Sequence, residues 1–131
     1  MSNTDVVKSA YEALASHDVE KTLACMAADV KYVMPNLGGN LPHGGQPRGI
    51  ADVSALFQAV AELVTPSEFK PECFLEKDSL VLVVGSEKIH VNANGAEFVN
   101  HWVHEFHIAD GKIASVRENF DSLAFSQHLG A

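Results

Sequence analysis

Two side chains in the C-terminal third of the sequence, His104 and Glu118, set an imidazole and a carboxylate where the residue pattern makes one face of two neighbouring strands. In apolar surroundings such a pair can move each other's proton affinities toward neutrality, which is what general acid–base catalysis requires. The other histidines do not offer metal chemistry. His101 and His107 lie roughly 20 Å apart along a strand, too far to share an ion, and His17, His43, His90 and His128 show no ligand spacing. No metal site is expected.

The orientation of these groups follows from alternation along the strands. In "NHWVHEFHIA", Trp102, Phe106 and Ile108 share a face with His104, while His101, Val103, Glu105 and His107 point the other way. In the next segment Ala114, Val116 and Phe120 share a face with Glu118, opposite Ser115, Arg117 and Asn119. A three-residue loop, Ala109-Asp110-Gly111, with a glycine bulge pairs even with even positions and puts both apolar sets on one side. His104 and Glu118 are then diagonal neighbours, about 7–8 Å apart. A carboxylate is expensive to bury unpaired, so either His104 satisfies it within the core or the face encloses a cavity.

The elements that must hold this pair are legible from periodicity. "NTDVVKSAYEALASHD" predicts a helix capped by Asn3 or Thr4, with Val6, Val7, Ala10, Tyr11 and Leu14 at helical spacing. Asp18 caps a second helix with Val19, Leu23 and Met26 on one stripe, followed by the short strand "VKYVMP" closed by Pro35. A Gly- and Pro-rich loop, "NLGGNLPHGGQPRG", leads to a third helix from Ile50 through Val53, Phe57, Val60 and Val64, stopped by Pro66. Strands follow at roughly 68–77, 79–92, 96–109 and 112–121, separated by Lys77-Asp78, Asn94-Gly95 and Asp110-Gly111. Asp121 can cap a final short helix. Helices first and an antiparallel meander afterwards mean an α+β fold with helices on one face of a curved sheet.

The 131 residues, 47% apolar and 20% charged, fit one soluble domain. A net charge of −8 with only nine thinly spread Lys and Arg excludes nucleic acid as an expected partner. No apolar run approaches the roughly 20 residues that span a bilayer, and "MSNTDVVKSA" lacks a signal-peptide pattern, so no membrane association is expected. Cys25 and Cys73 are isolated, which suits free thiols in a cytoplasmic protein.

In order and spacing, "PHGGQPRG", "WVHEF", "ADGKI" and "RENFD" resemble the SnoaL-like branch of the nuclear transport factor 2 and ketosteroid isomerase superfamily, over roughly residues 5–128. The resemblance implies a cone-shaped half-barrel of curved sheet packed on three helices and enclosing an apolar pocket. It also implies a homodimer through the outer sheet face and chemistry that needs no cofactor. His104 matches the pocket histidine of the polyketide cyclases, and Glu118 falls where the cyclases and epoxide hydrolases keep a catalytic aspartate. The isomerase base position holds Met34, and its oxyanion tyrosine falls near Ala10, with Tyr11 one residue away and about 100° round the helix. On the strand "GSEKIHV", where the hydrolases carry Arg and Asp, Lys88 and His90 face outward by the alternation of Ile89 and Val91.

The expected function is therefore isomerase, cyclase or dehydratase chemistry on an apolar cyclic carbonyl compound. His104 and Glu118 would be catalytic, with Tyr32, Met34, His43, Phe57, Trp102, Phe106 and Val116 forming the binding surface. A non-catalytic small-molecule binding protein of the same fold is the alternative.

Overall fold

Ser2, rather than Asn3 or Thr4, opens the first helix: its side chain accepts from the Asp5 amide while the Asp5 carboxylate accepts from the Ser2 amide. This capping box starts α1 (Asn3–Ala15), which buries Val6, Val7, Ala10, Tyr11 and Ala13 and leaves Leu14 exposed. Asp18 caps α2 (Val19–Ala24) as expected, but this helix ends before Met26. Met26 instead begins β1 (Met26–Val33), where it is buried against the sheet. The computed structural model describes residues 1–130.

After the loop comes α3 (Ile50–Leu63), and the chain turns straight into β2 (Val64–Lys77). Pro66 does not stop the helix; it lies within β2, opposite Ile89. A proline without an amide donor is tolerated there because β2 is an edge of the sheet. The meander continues through β3 (Leu80–Val91), β4 (Glu97–Ala109) and β5 (Lys112–Phe120), and Asp121 caps α4 (Ser122–His128).

The strand order is β1-β5-β4-β3-β2, with all pairs antiparallel except β1 and β5, which run parallel. The result is an α+β half-barrel whose concave face carries the helices and the core. That core joins Val6, Val7 and Tyr11 of α1 and Val53 and Leu56 of α3 to Val81, Val83, Trp102, Phe106, Ile113 and Val116 of the sheet.

The β4–β5 connection differs from the expected one. Ala109 pairs with Lys112, so the turn has two residues, Asp110 and Gly111, both with positive φ (52° and 74°). Such a turn alone would pair even with odd positions. The register then shifts by one at Ala114, because Ile108 faces Ile113 whereas His107 faces Ser115. The compensating residue thus lies inside the strand as a bulge rather than in the loop. Beyond it Phe106 faces Val116 and His104 faces Glu118 directly, not diagonally.

Candidate functional site

The concave face is laid out in rows. Val83 on β3, His104 on β4 and Glu118 on β5 form one row; Gly85, Trp102 and Phe120 form the next. His104 is 8% exposed as a residue. Its Nε2 lies 3.6 Å from Glu118 Oε1, and its Nδ1 lies 2.9 Å from the phenol oxygen of Tyr11. The other oxygen of Glu118 accepts a short hydrogen bond from the Tyr32 hydroxyl. Four side chains from α1, β4, β5 and β1 thus form one chain: Tyr11, His104, Glu118, Tyr32.

Each is fixed from behind. The indole of Trp102 stacks on the imidazole, with ring centroids 4.0 Å apart and 12° between planes. Tyr11 lies edge-on to Phe69 and Phe106, and Phe57 of α3 meets Tyr32 edge-on at 5.6 Å. Hydrogen bonds from Thr4 to Glu76 and from Asn3 to the Asp78 carbonyl pin α1 to the β2–β3 end of the sheet, which brings Tyr11 over His104.

Proton positions follow from the electrostatics. Burial works to raise the Glu118 carboxyl, but the hydrogen bond and charge of His104 and the bond from Tyr32 outweigh it and hold it below the ordinary glutamate value. An ionised carboxylate only accepts, so Tyr32 donates to one oxygen and His104 Nε2–H points toward the other. The Tyr11–His104 bond runs from the phenol to Nδ1 when the ring is neutral and from Nδ1–H to the phenol oxygen when it is charged. Both phenols are raised, chiefly by burial and next by the charge of Glu118, so both stay protonated.

Tyr11 is the residue that helix geometry misplaced: it is buried and bonded to His104, while Ala10 is buried beside it. Glu87 was also overlooked. Lys88 and His90 do point outward, toward Glu97, but Glu87 sits between inward-facing Gly85 and Ile89 and accepts from Asn100 at 3.1 Å. Its parity with these apolar neighbours was the available signal.

Tyr32, Met34, Trp102, Phe106 and Val116 are buried, and Phe57 is half-buried. His43 is exposed in the loop, 3.6 Å from Asp52 of α3. Two grooves, of about 370 and 220 Å³, lie toward the outer face, the first lined by Val84, His101 and Val103, the second by Glu105, His107 and Arg117. Between sheet and helices the aromatic side chains pack around the polar chain. Glu118 keeps 20% of its side chain exposed and is its most accessible member by comparison with His104 at 10%. Among the described residues no three His, Cys, Asp or Glu side chains gather as a metal site, and no helix is long and apolar enough to cross a membrane.

The profile of the SnoaL-like domain matches residues 7–116. The chain belongs to the SnoaL-like family. Its fold is shared by an NTF2-like protein of unknown function from Burkholderia pseudomallei, 25% identical with all of both chains covered and a TM-score of 0.91. An NTF2-like protein from Burkholderia xenovorans is 31% identical over 97% of this chain and 95% of its own, with a TM-score of 0.84. TerC, co-crystallised with polyporic acid, is 25% identical over 98% of both chains, with a TM-score of 0.88. No curated protein sequence matches this SnoaL-like chain.

Proposed function

We propose that this SnoaL-like protein catalyses cofactor-independent acid–base chemistry on an apolar cyclic carbonyl compound, by isomerisation, cyclisation or dehydration through an enolate. The observation that carries the reading is the polar chain of Tyr11, His104, Glu118 and Tyr32, hydrogen-bonded at both ends and joined in the middle by the 3.6 Å contact of His104 with Glu118, whose carboxylate is the most accessible member. That TerC was crystallised with polyporic acid supports small-molecule binding by this fold.

In this scheme Glu118 takes the proton from the carbon next to the carbonyl; the electron pair of that C–H bond becomes the C=C bond, and the carbonyl π pair moves to the oxygen. The enolate oxygen needs a donor. Both nitrogens of His104 are engaged, so the donor is the phenol of Tyr11, turned outward when His104 Nδ1 carries a proton toward it. Glu118 then returns its proton to another carbon of the conjugated enolate, to the alkoxide formed when the enolate carbon attacks a second carbonyl of the same molecule, or to a β-hydroxyl that the enolate expels as water. Trp102, Phe106, Phe57 and Val116 exclude water and strengthen these interactions. Met34 and His43 would border the bound compound from the β1 end and the loop.

The test uses exchange rather than a known substrate. Tetralone in deuterated water, followed by proton NMR, should lose its α-proton signals faster with the wild type. Glu118→Gln should lower the enzymatic rate by at least about a hundredfold. Equal rates for both proteins would refute the assignment. The alternative, a non-catalytic binding protein, draws on the fact that both Glu118 oxygens already have partners. It predicts that Glu118→Gln binds phenolic ligands unchanged.

The homodimer is part of the same proposal. Val84 and Val99 are 41% and 59% exposed on the outer face, alongside His101, Val103, Glu105, His107 and Arg117. Light scattering should give twice the 14.1 kDa chain mass, and Val99→Glu should return it to one chain.

A further inference from the structure

The concave face carries a second polar group that the acid–base chain does not use. Glu87 and Asn100 face each other across β3 and β4, one row beyond Gly85 and Trp102. Asn100 is 6% exposed and donates to one oxygen of Glu87 at 3.1 Å. Among the described residues no other side chain bonds this carboxyl. Burial raises its proton affinity, and the negative charge of Glu118 adds to that, so the two carboxyls feel each other across the same space. A carboxyl so placed can donate or accept.

Between the two polar groups lies Trp102, whose indole N–H is buried without a partner. Both faces of this indole are covered, by His104 on one side and Phe69 on the other, so it separates the two polar groups as a wall. Along β4, Asn100 and His104 flank Trp102 on either side and stand roughly 13 Å apart at the backbone. The carboxyl and amide ends are thus separated from the acid–base pair by one flat aromatic row, Trp102 with Phe120.

We infer that Glu87 and Asn100 form a second polar subsite that holds a hydroxyl or keto oxygen at the far end of the substrate. The reaction proposed above then acts on an apolar compound oxygenated at both ends, with its reacting carbonyl at Glu118 and its distal oxygen at Glu87 and Asn100. This inference rests on the reading of His104 and Glu118 as the reacting end.

The probes are para-phenylphenol and para,para′-biphenol, alike except for one distal hydroxyl. Trp102 is the only tryptophan, so quenching of its emission reports both. The wild type should bind biphenol roughly tenfold more tightly, the return on one added hydrogen bond in a partly buried site. Glu87→Leu should bring the ratio to about one and Glu87→Gln should keep most of it, which a merely structural role would not do. Asn100→Ala approaches the same subsite from the other strand should the leucine variant fail to fold. Glu118→Gln should weaken both compounds together. A ratio near one in the wild type, or an unchanged ratio in Glu87→Leu and Asn100→Ala, overturns the subsite while leaving the Glu118 reading intact. Failure of either compound to quench wild-type Trp102 overturns both.

Discussion

Gly85 and Trp102 are paired across β3 and β4, and the six-membered ring of the indole occupies the space that a Cβ on residue 85 would need. The ring that stacks on His104 therefore lies flat only because its partner has no side chain.

Gly85→Ala should accordingly destabilise the fold by about 1–3 kcal/mol, the usual cost of overpacking a filled core. The Lys70 carbonyl crowds the same point from β2, so the ring cannot simply be pushed aside. Urea unfolding should show the loss, and the emission of Trp102 should change in the folded variant. A variant as stable as the wild type, with unchanged emission, would contradict the packing described.

Tyr32→Phe removes a donor to a carboxylate that burial already disfavours. The Glu118 proton affinity should rise, and stability should fall by about 1.5–3 kcal/mol, the range for a bond to a charged group. Carbon NMR titration of the Glu118 carboxyl checks the first, chemical denaturation the second. Tyr11→Phe, which removes a hydrogen bond to His104 and none to Glu118, should leave the Glu118 titration much closer to wild type.

The two inner carboxyls give opposite pH dependences. Glu118 is lowered in the folded protein, so its contribution to stability is present above the ordinary glutamate value and is lost as pH falls through its folded one. Glu87 is raised, so it favours the folded state at low pH and that advantage is lost as pH rises through its folded value. Between roughly pH 3 and 6, Glu118→Gln should flatten the loss of stability on acidification and Glu87→Gln should steepen it. Urea midpoints across that range decide the matter.

Gly45 has a φ of 79°, and a Cβ there would overlap the Met34 carbonyl oxygen. Met34 N–H in turn donates to the Gly45 carbonyl at 2.9 Å, which ties the loop to the end of β1. Gly45→Ala should loosen this tie and lower the melting temperature by several degrees, whereas Gly44→Ala, with open space around it, should cost much less.

Much of this arrangement was readable in the sequence. Asn-Gly and Asp-Gly marked two hairpins, and alternation placed His104 and Glu118 on one face with Trp102, Phe106 and Val116. The parts that were not readable depend on distant partners. Nothing local in "MAADVKYV" announces that β1 starts at Met26, because its pairing is parallel and to β5, far along the chain. Tyr11 could be placed on an apolar stripe, but its aim at His104 depends on where α1 is pinned to β2. Glu87 was hidden by Ser86, Lys88 and His90, whose polarity makes the segment read as a solvated edge.

Ala114 gives the sheet something like a reading frame. Its extra residue allows Ile113 and Val116 both to face the core, and every position after it inherits that setting. Were Ala114 taken into regular alternation instead of bulging, Glu118 would turn to solvent and Arg117 would turn inward; deleting the alanine would leave His104 facing Glu118. Whether the carboxylate of β5 faces inward is thus set by a bulge earlier in the same strand.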